Sequence, residues 1–125
     1  MQAEPAGIGQ WRLCRLLLTV CALAIPYADD RRAAFAEFFR VLRPGGALVV
    51  STQHPVMDWL RKGGSYFDTK LETDTWRTPH GDQPVRFWRE PLSALCTAAT
   101  SAGFLIENLT EPLPAESMRE RAVPG

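Results

Sequence analysis

Two continuous apolar runs organise the first half of the chain. Residues 16–21 (Leu-Leu-Leu-Thr-Val-Cys) and residues 47–51 (Ala-Leu-Val-Val-Ser) have the length of a strand and show no regular polar alternation. This pattern is typical of parallel strands whose two faces are both covered by helices. The sequence therefore predicts two buried parallel strands.

The segment between the two runs has helical periodicity. Its large apolar residues, spaced at i, i+3, i+4 and i+7, are Phe35, Phe38, Phe39 and Leu42. Asp29 and Asp30 precede them and are suited to cap a helix N-terminus. Arg43 ends the pattern, and the Pro44-Gly45-Gly46 segment prevents the helix from continuing. Strand, helix, turn and strand together predict one right-handed parallel crossover unit.

The second half of the chain differs from the first in composition. Residues 52–89 are rich in proline, glycine and aromatic residues, and predict a long excursion that contains a hairpin of residues 70–77 against 85–89. A helix is then predicted between Pro91 and Gly103, followed by a strand over residues 104–109. We divide the chain into an irregular leader (1–15), an α/β unit (16–112) that includes the excursion, and a tail (113–125).

Composition and charge narrow the classes of function. The 125 residues are 46% hydrophobic, and 14 basic residues balance 14 acidic ones. Because no net charge favours an anionic partner, we expect no nucleic acid and no membrane partner. Three cysteines without a metal-ligand spacing indicate free thiols, no metal and a cytoplasmic location.

A secretory leader is the alternative interpretation of the first apolar run. Arg12 and Arg15 precede the run, and Ala22-Leu23-Ala24 has the small-x-small form of a signal-peptidase site. The run is too short to span a bilayer, which takes about 20 apolar residues. The residues that follow favour the continuation of an intracellular α/β fold.

Residues 35–51 (FAEFFRVLRPGGALVVS) resemble the helix, turn and fifth strand of class I S-adenosylmethionine-dependent methyltransferases of the type 11 kind. Residues 23–30 resemble that family's segment after the fourth strand, and residues 87–104 its later helix and sixth strand. The resemblance implies a partial Rossmann-like, doubly wound α/β sheet with strands four to six of the methyltransferase fold. It implies S-adenosylmethionine as cofactor and a small-molecule methyl acceptor.

The family's cofactor loop is missing from this pattern. Gly7-Ile8-Gly9 follows no apolar strand and does not match the family's glycine-rich loop, and no second strand ending in an acidic residue is recognisable. The sequence therefore predicts a truncated methyltransferase, the C-terminal half of the domain. The alternative is a catalytically inactive fragment or interaction module that pairs with a partner chain through the exposed edge of its first strand.

Ligands of open parallel sheets bind outside the carboxyl ends of the strands, which selects the loops after residues 21 and 51. His54 is our candidate general base, since Pro55 keeps its backbone extended; the alternative is a locally hydrogen-bonded loop histidine. By the family resemblance, the candidates for cofactor contact are Cys21, Ala22 and Tyr27, or else these are ordinary core positions. The aromatic candidates for an acceptor pocket are Trp59, Tyr66, Trp76 and Trp88. The alternative is that these side chains form a satellite core.

Overall fold

The structure is a computed structural model that describes residues 16–116. The predicted leader, the Gly7-Ile8-Gly9 segment and most of the predicted tail lie outside the described residues. In chain order the elements are β1 (Leu16–Ala22), a 3-10 turn (Ile25–Tyr27), α1 (Arg31–Val41), β2 (Leu42–Ser51), α2 (Pro55–Lys62), β3 (Lys70–Thr78), β4 (Gly81–Arg89) and α3 (Leu92–Ser101).

The predicted crossover unit is confirmed. β1 and β2 pair in parallel from Leu18 opposite Ala47 to Ala22 opposite Ser51, with α1 between them in sequence. Asp30 caps α1, its carboxylate accepting a hydrogen bond from the Ala33 N–H at 2.9 Å. The chain is thus a mixed α/β protein with a parallel sheet, as predicted.

The predicted helix end at Arg43 is two residues too late: α1 ends at Val41, and the Pro44-Gly45-Gly46 segment lies inside β2 as an irregularity of the ladder. Leu16 is opposite Leu42 and Leu18 is opposite Ala47, so four residues of β2 loop out between them. Gly45 has φ +76°, a conformation that favours glycine. A Cβ on Gly46 would lie 2.9 Å from the Arg43 carbonyl oxygen and 3.1 Å from that of Leu16.

Gly46→Ala should therefore destabilise the protein more than Gly45→Ala. At Gly46 the new methyl meets two backbone oxygens, and overpacking of this kind costs roughly 1–3 kcal/mol. At Gly45 nothing lies within 4 Å, and the cost is the left-handed conformation alone, about 1 kcal/mol. Urea unfolding of both variants measures the difference, and equal midpoints would contradict the close approach at Gly46.

The core lies on one face of the parallel sheet, under α1 and α3. Its buried members are Cys21, Ile25, Phe35 and Ala98, and Phe35 is 2% exposed. Side chains alternate across a strand, so Leu18, Val20 and Val49 point to the opposite face, where they are 51–61% exposed. The prediction that helices cover both faces is thus wrong for the described residues, whose helices pack on one face.

The predicted hairpin is confirmed and the predicted last strand is not. β3 and β4 pair antiparallel from Lys70 opposite Arg89 to Thr78 opposite Gly81. Residues 104–115 contain no regular secondary structure, although a strand was predicted over 104–109. A strand needs a neighbour to receive its backbone hydrogen bonds, and neither β1 nor β2 forms a ladder with these residues. Phe104 still packs edge-on against Phe39, with ring centroids 5.3 Å apart.

α2 was not predicted, although its sequence carries the signals of a helix. His54 caps it, Pro55 occupies its first turn, and Arg61 and Lys62 lie in its last turn beside the negative end of the helix dipole. The two basic residues bind Asp74 of β3, with Arg61 Nη2 and Lys62 Nζ each 2.6 Å from its carboxylate. These ion pairs fix α2 to the hairpin.

Asp74→Asn should lower the free energy of unfolding at neutral pH and make it fall less steeply as the pH drops. Hydrogen bonds from Lys62 and Arg61 hold the pKa of Asp74 below its ordinary value. Its stabilising contribution is therefore complete above the ordinary aspartate pKa of roughly 3.9 and is lost as the pH falls through the lowered folded value. We expect the free energy of unfolding at neutral pH to fall by at most about 1 kcal/mol. Urea unfolding across pH measures the change, and Asp82→Asn, at an exposed position, is the control. A variant that keeps the full acid dependence would contradict this assignment.

Candidate functional site

A narrow crevice opens where the two parallel strands end. It is lined by the 3-10 turn after β1 (Ile25, Pro26), by the residues after β2 (Thr52, Gln53), by α2 (Pro55, Asp58) and by Arg31, Trp88, Glu90 and Leu95. Its volume is about 20 Å³, enough for one water-sized group. The crevice lies at the carboxyl ends of the strands, where open α/β sheets bind ligands.

A larger, polar cavity of about 440 Å³ adjoins it, between the start of α1 and α3. Its lining includes Asp29, Asp30, Arg32, Ser93 and Thr97. Arg31 and Glu90 line both cavities. The wall shared by the two cavities is therefore an ion pair, with Arg31 Nε 2.6 Å from Glu90 Oε1 and both side chains nearly buried.

Trp88 packs against the arginine of that ion pair. The Arg31 guanidinium lies over the Trp88 ring, 5.0 Å from its centroid, in the geometry of a cation–π contact. The Trp88 Nε1 atom is buried and has no hydrogen-bond partner among residues 16–116. A buried donor without a partner costs about 1–3 kcal/mol relative to a satisfied one.

Asp58 faces the same crevice from α2. Its side chain is 14% exposed, and its closest cation is Arg61, with Nη1 3.6 Å from Oδ1. Burial raises the pKa of Asp58, and the attraction of Arg61 offsets this in part. The carboxylate is thus less well solvated than a surface aspartate and is a strong hydrogen-bond acceptor for a group that enters the crevice.

His54, the candidate base, is committed to local contacts. Its Nδ1 accepts a hydrogen bond from the Val56 N–H at 3.2 Å, and its Nε2 lies 3.1 Å from Glu111 Oε1. An accepting Nδ1 places the proton of the neutral ring on Nε2. Glu111 is 75% exposed, so its contact is the one that an arriving substrate would displace. The base role stays a prediction.

The three candidates for cofactor contact differ in burial and in their neighbours. Cys21 is buried in the core, so its thiol faces α1 and α3. Ala22 is exposed at the end of β1, next to Leu23, which has φ +54° and donates its N–H to the Ser51 carbonyl at 2.8 Å. Tyr27 packs edge-on against Trp76. Their cofactor roles also stay predictions.

The four aromatic candidates are not brought to one wall. Trp59 and Tyr66 meet edge-on at 6.4 Å, where Trp59 Nε1 donates to the Gly64 carbonyl and the Tyr66 hydroxyl accepts from the Leu92 N–H. Trp76 lies with Tyr27, and Trp88 lines the crevice. Trp59 and Tyr66 therefore join α2 to the start of α3, and Trp76 joins the hairpin to the 3-10 turn. Sequence patterns did not single out Arg31, Asp58 and Glu90, because no motif joins three charged residues that only the fold brings to one crevice.

Residues 16–116 contain no group of three or more histidine, cysteine, aspartate or glutamate side chains that could hold a metal ion. In the same range no helix is long and apolar enough to cross a bilayer. Cys21 and Cys96 are free cysteines.

A family model matches one segment of the chain. Residues 18–50, which are most of β1, α1 and β2, match the family model described as a methyltransferase domain. The sequence matches no curated protein at a significant level.

A solved structure shares the fold. It is an S-adenosylmethionine-dependent methyltransferase from Mesorhizobium loti, to which the chain is similar with a TM-score of 0.59 and 18% sequence identity. The similarity covers 89% of this chain and 57% of that one, so the chain spans less than two thirds of the length of its solved neighbour. In its β1–α1–β2 segment the chain is similar to the methyltransferase domain of that family model, and its fold is similar to the Rossmann-like fold of this solved structure.

Proposed function

We propose that the protein carrying this chain is an S-adenosylmethionine-dependent methyltransferase that acts on a small molecule in the cytoplasm. The observation that supports the proposal is the methyltransferase segment itself, residues 18–50, which ends at the crevice between the strand termini. Free Cys21 and Cys96 agree with a reducing compartment. The cavity of about 440 Å³ beside the crevice is of a size for a small molecule.

The described residues fit one flank of the cofactor. Ala22 is small and exposed at the end of β1, and Asp29 lies at the rim of the large cavity. S-adenosylmethionine, when bound, supplies an activated methyl group, so the protein need only align the acceptor and exclude water. In this proposal Trp88 and the Arg31–Glu90 pair line the acceptor's site, and His54 accepts the proton through Nδ1, which must first release the Val56 N–H because the neutral ring carries its own proton on Nε2.

Calorimetric titration of the purified chain with S-adenosylmethionine tests this function. We expect saturable heat that Ala22→Phe abolishes, because the larger side chain fills the exposed end of β1. Ala36→Phe, on an exposed position of α1, is the matched control and should bind as the wild type does. Absence of heat at millimolar cofactor would overturn the enzyme proposal for this polypeptide.

A second candidate, an interaction module, is favoured by the exposed apolar strand. Among the described residues β1 pairs on one edge with β2, its other edge carries no ladder, and Leu17, Leu18 and Val20 are 54–61% exposed. A free apolar edge is a template for another strand. If this is the function, sedimentation will show association at micromolar concentration that Val20→Lys removes, whereas a monomeric wild type would contradict it.

A further inference from the structure

We propose that the cavity of about 440 Å³ between the start of α1 and α3 binds the charged head of an α-amino acid, with Asp29 holding its ammonium group and Arg32 its carboxylate. Three carboxylates and two guanidiniums line this cavity. One pair of them, Arg31 and Glu90, is already joined at 2.6 Å. The charges that remain are of both signs.

The remaining charges differ in how far they are compensated. Asp30 caps α1, where its Oδ1 accepts a hydrogen bond from the Ala33 N–H at 2.9 Å, and its charge there offsets the positive end of the α1 dipole. Among residues 16–116, neither Asp29 nor Arg32 forms an ion pair or a side-chain hydrogen bond. Two uncompensated charges of opposite sign in one cavity make a dipolar site.

The start of α3 adds a donor for the carboxylate. No side chain caps the N-terminus of α3, and the Leu92 N–H donates to the Tyr66 hydroxyl. The next N–H, that of Ser93, has no partner within residues 16–116, and Ser93 lines the cavity. Helix N-termini attract anions through such N–H groups and through their dipole. Arg32 and the start of α3 therefore act on the same end of the ligand.

The charges of the lining disfavour simpler ions. A free carboxylate or phosphate would meet Asp29 and Asp30 as well as Arg32, and a simple amine would meet Arg32 and leave the start of α3 without an anion. Asp29 and Arg32 are three positions apart and still form no ion pair with each other. A molecule that carries both charges close together bridges them, and an α-amino acid is such a molecule.

The rest of the cavity accommodates the ligand's side chain. Its volume exceeds that of the charged head, and small residues line the remainder, among them Thr69, Ala94 and Thr97. If the proposed function holds, the bound amino acid is the methyl acceptor. The inference rests on that function for the substrate class, and on the cavity alone for the binding.

The test uses the purified chain without S-adenosylmethionine and L-alanine as the probe. N–H signals of the native protein are followed by NMR. We expect the Ser93 amide signal to move and to saturate at millimolar L-alanine, while the Trp59 indole signal stays fixed because its N–H already donates to Gly64. Ethylamine and propionate are L-alanine without its carboxylate and without its ammonium group, and each should bind roughly tenfold more weakly.

Two variants and two matched controls complete the design. Arg32→Gln and Asp29→Asn should each weaken L-alanine binding by roughly tenfold, and both positions are exposed, so the fold should be retained. Arg86→Gln and Asp82→Asn, at exposed positions of β4 outside the cavity, remove the same charges and should not change binding. A Ser93 signal that stays fixed, or ethylamine or propionate binding as tightly as L-alanine, would overturn the proposal.

The result is separable from the methyltransferase proposal. Ala22→Phe, which is designed to abolish cofactor binding, should leave L-alanine binding unchanged. L-alanine binding without cofactor binding would support the amino acid site and reject the enzyme, whereas cofactor binding without a Ser93 shift by L-alanine would do the reverse. S-adenosylmethionine carries the same charged head: if it displaces L-alanine, the amino acid is rejected as the acceptor, and if both bind together, that assignment is supported.

Discussion

Phe35→Ala should unfold this protein or bring it close to unfolding at room temperature. Phe35 is 2% exposed, has the largest fully buried side chain among residues 16–116, and is packed with Cys21, Ile25 and Ala98 in the one core cluster of that range. Truncating a buried phenylalanine costs roughly 3–5 kcal/mol, the sum of lost transfer energy and of the cavity left behind. Small domains have a total stability of about 5–15 kcal/mol, so the loss is a large share of it.

The core offers little room to collapse around the cavity. Phe38 meets Phe35 edge-on with ring centroids 6.0 Å apart, and Leu48 and Val50 of β2 close the cluster from the sheet. Relaxation would therefore have to move α1 against the sheet. Urea unfolding followed by circular dichroism measures the cost.

Phe67→Ala is the matched control. Phe67 is 76% exposed, and among the rings of residues 16–116 it contacts Tyr66 alone, at 5.2 Å. Exposed substitutions of this kind usually change stability by less than about 0.5 kcal/mol. Equal midpoints for Phe35→Ala and Phe67→Ala would mean that the described core does not hold the fold.

The sequence was most informative where local patterns and tertiary structure agree. The spacing of the phenylalanines and the Asp30 cap predicted α1 and its start, because each signal acts within a few residues, and the predicted end at Arg43 lies two residues beyond the observed end. The hairpin was predicted for the same reason, with its turn displaced to residues 79–80. Parallel pairing of β1 and β2 then followed from the crossover connection.

The rest depends on contacts distant in sequence. A strand over 104–109 has suitable composition, but composition does not supply the neighbour that would complete its hydrogen bonds. The crevice joins Arg31, Asp58 and Glu90, which are 27 to 59 positions apart in pairs and carry no motif. The sequence placed His54 in the loop after β2. The structure adds its contacts with Val56 and Glu111, which a catalytic role would have to accommodate.

Arg89→Met should cost roughly 3–5 kcal/mol, the usual penalty for removing one partner of a buried ion pair. Arg89 is 3% exposed at the end of β4. Its Nη1 donates to the Gly63 carbonyl at the end of α2, and its Nη2 lies 3.4 Å from Glu72 Oε1 on β3. Methionine of similar length leaves both the carbonyl and the carboxylate without this cation.

A second substitution distinguishes the charge from the packing. Replacing both members of a buried pair by apolar residues is often neutral, so Arg89→Met combined with Glu72→Leu should be more stable than Arg89→Met alone. Arg86→Met, at an exposed position of the same strand, is the control and should change stability by less than about 0.5 kcal/mol.

The stability that the double variant regains over Arg89→Met shows which contact of Arg89 matters most. A large recovery means that the penalty arises from the uncompensated Glu72 carboxylate, as its 14% side-chain exposure predicts. A double variant as unstable as the single one would instead place the cost at the Gly63 carbonyl, and hence at the junction between α2 and the hairpin. Since α2 also carries Asp58, that outcome would make Arg89 a determinant of the crevice as well as of the fold.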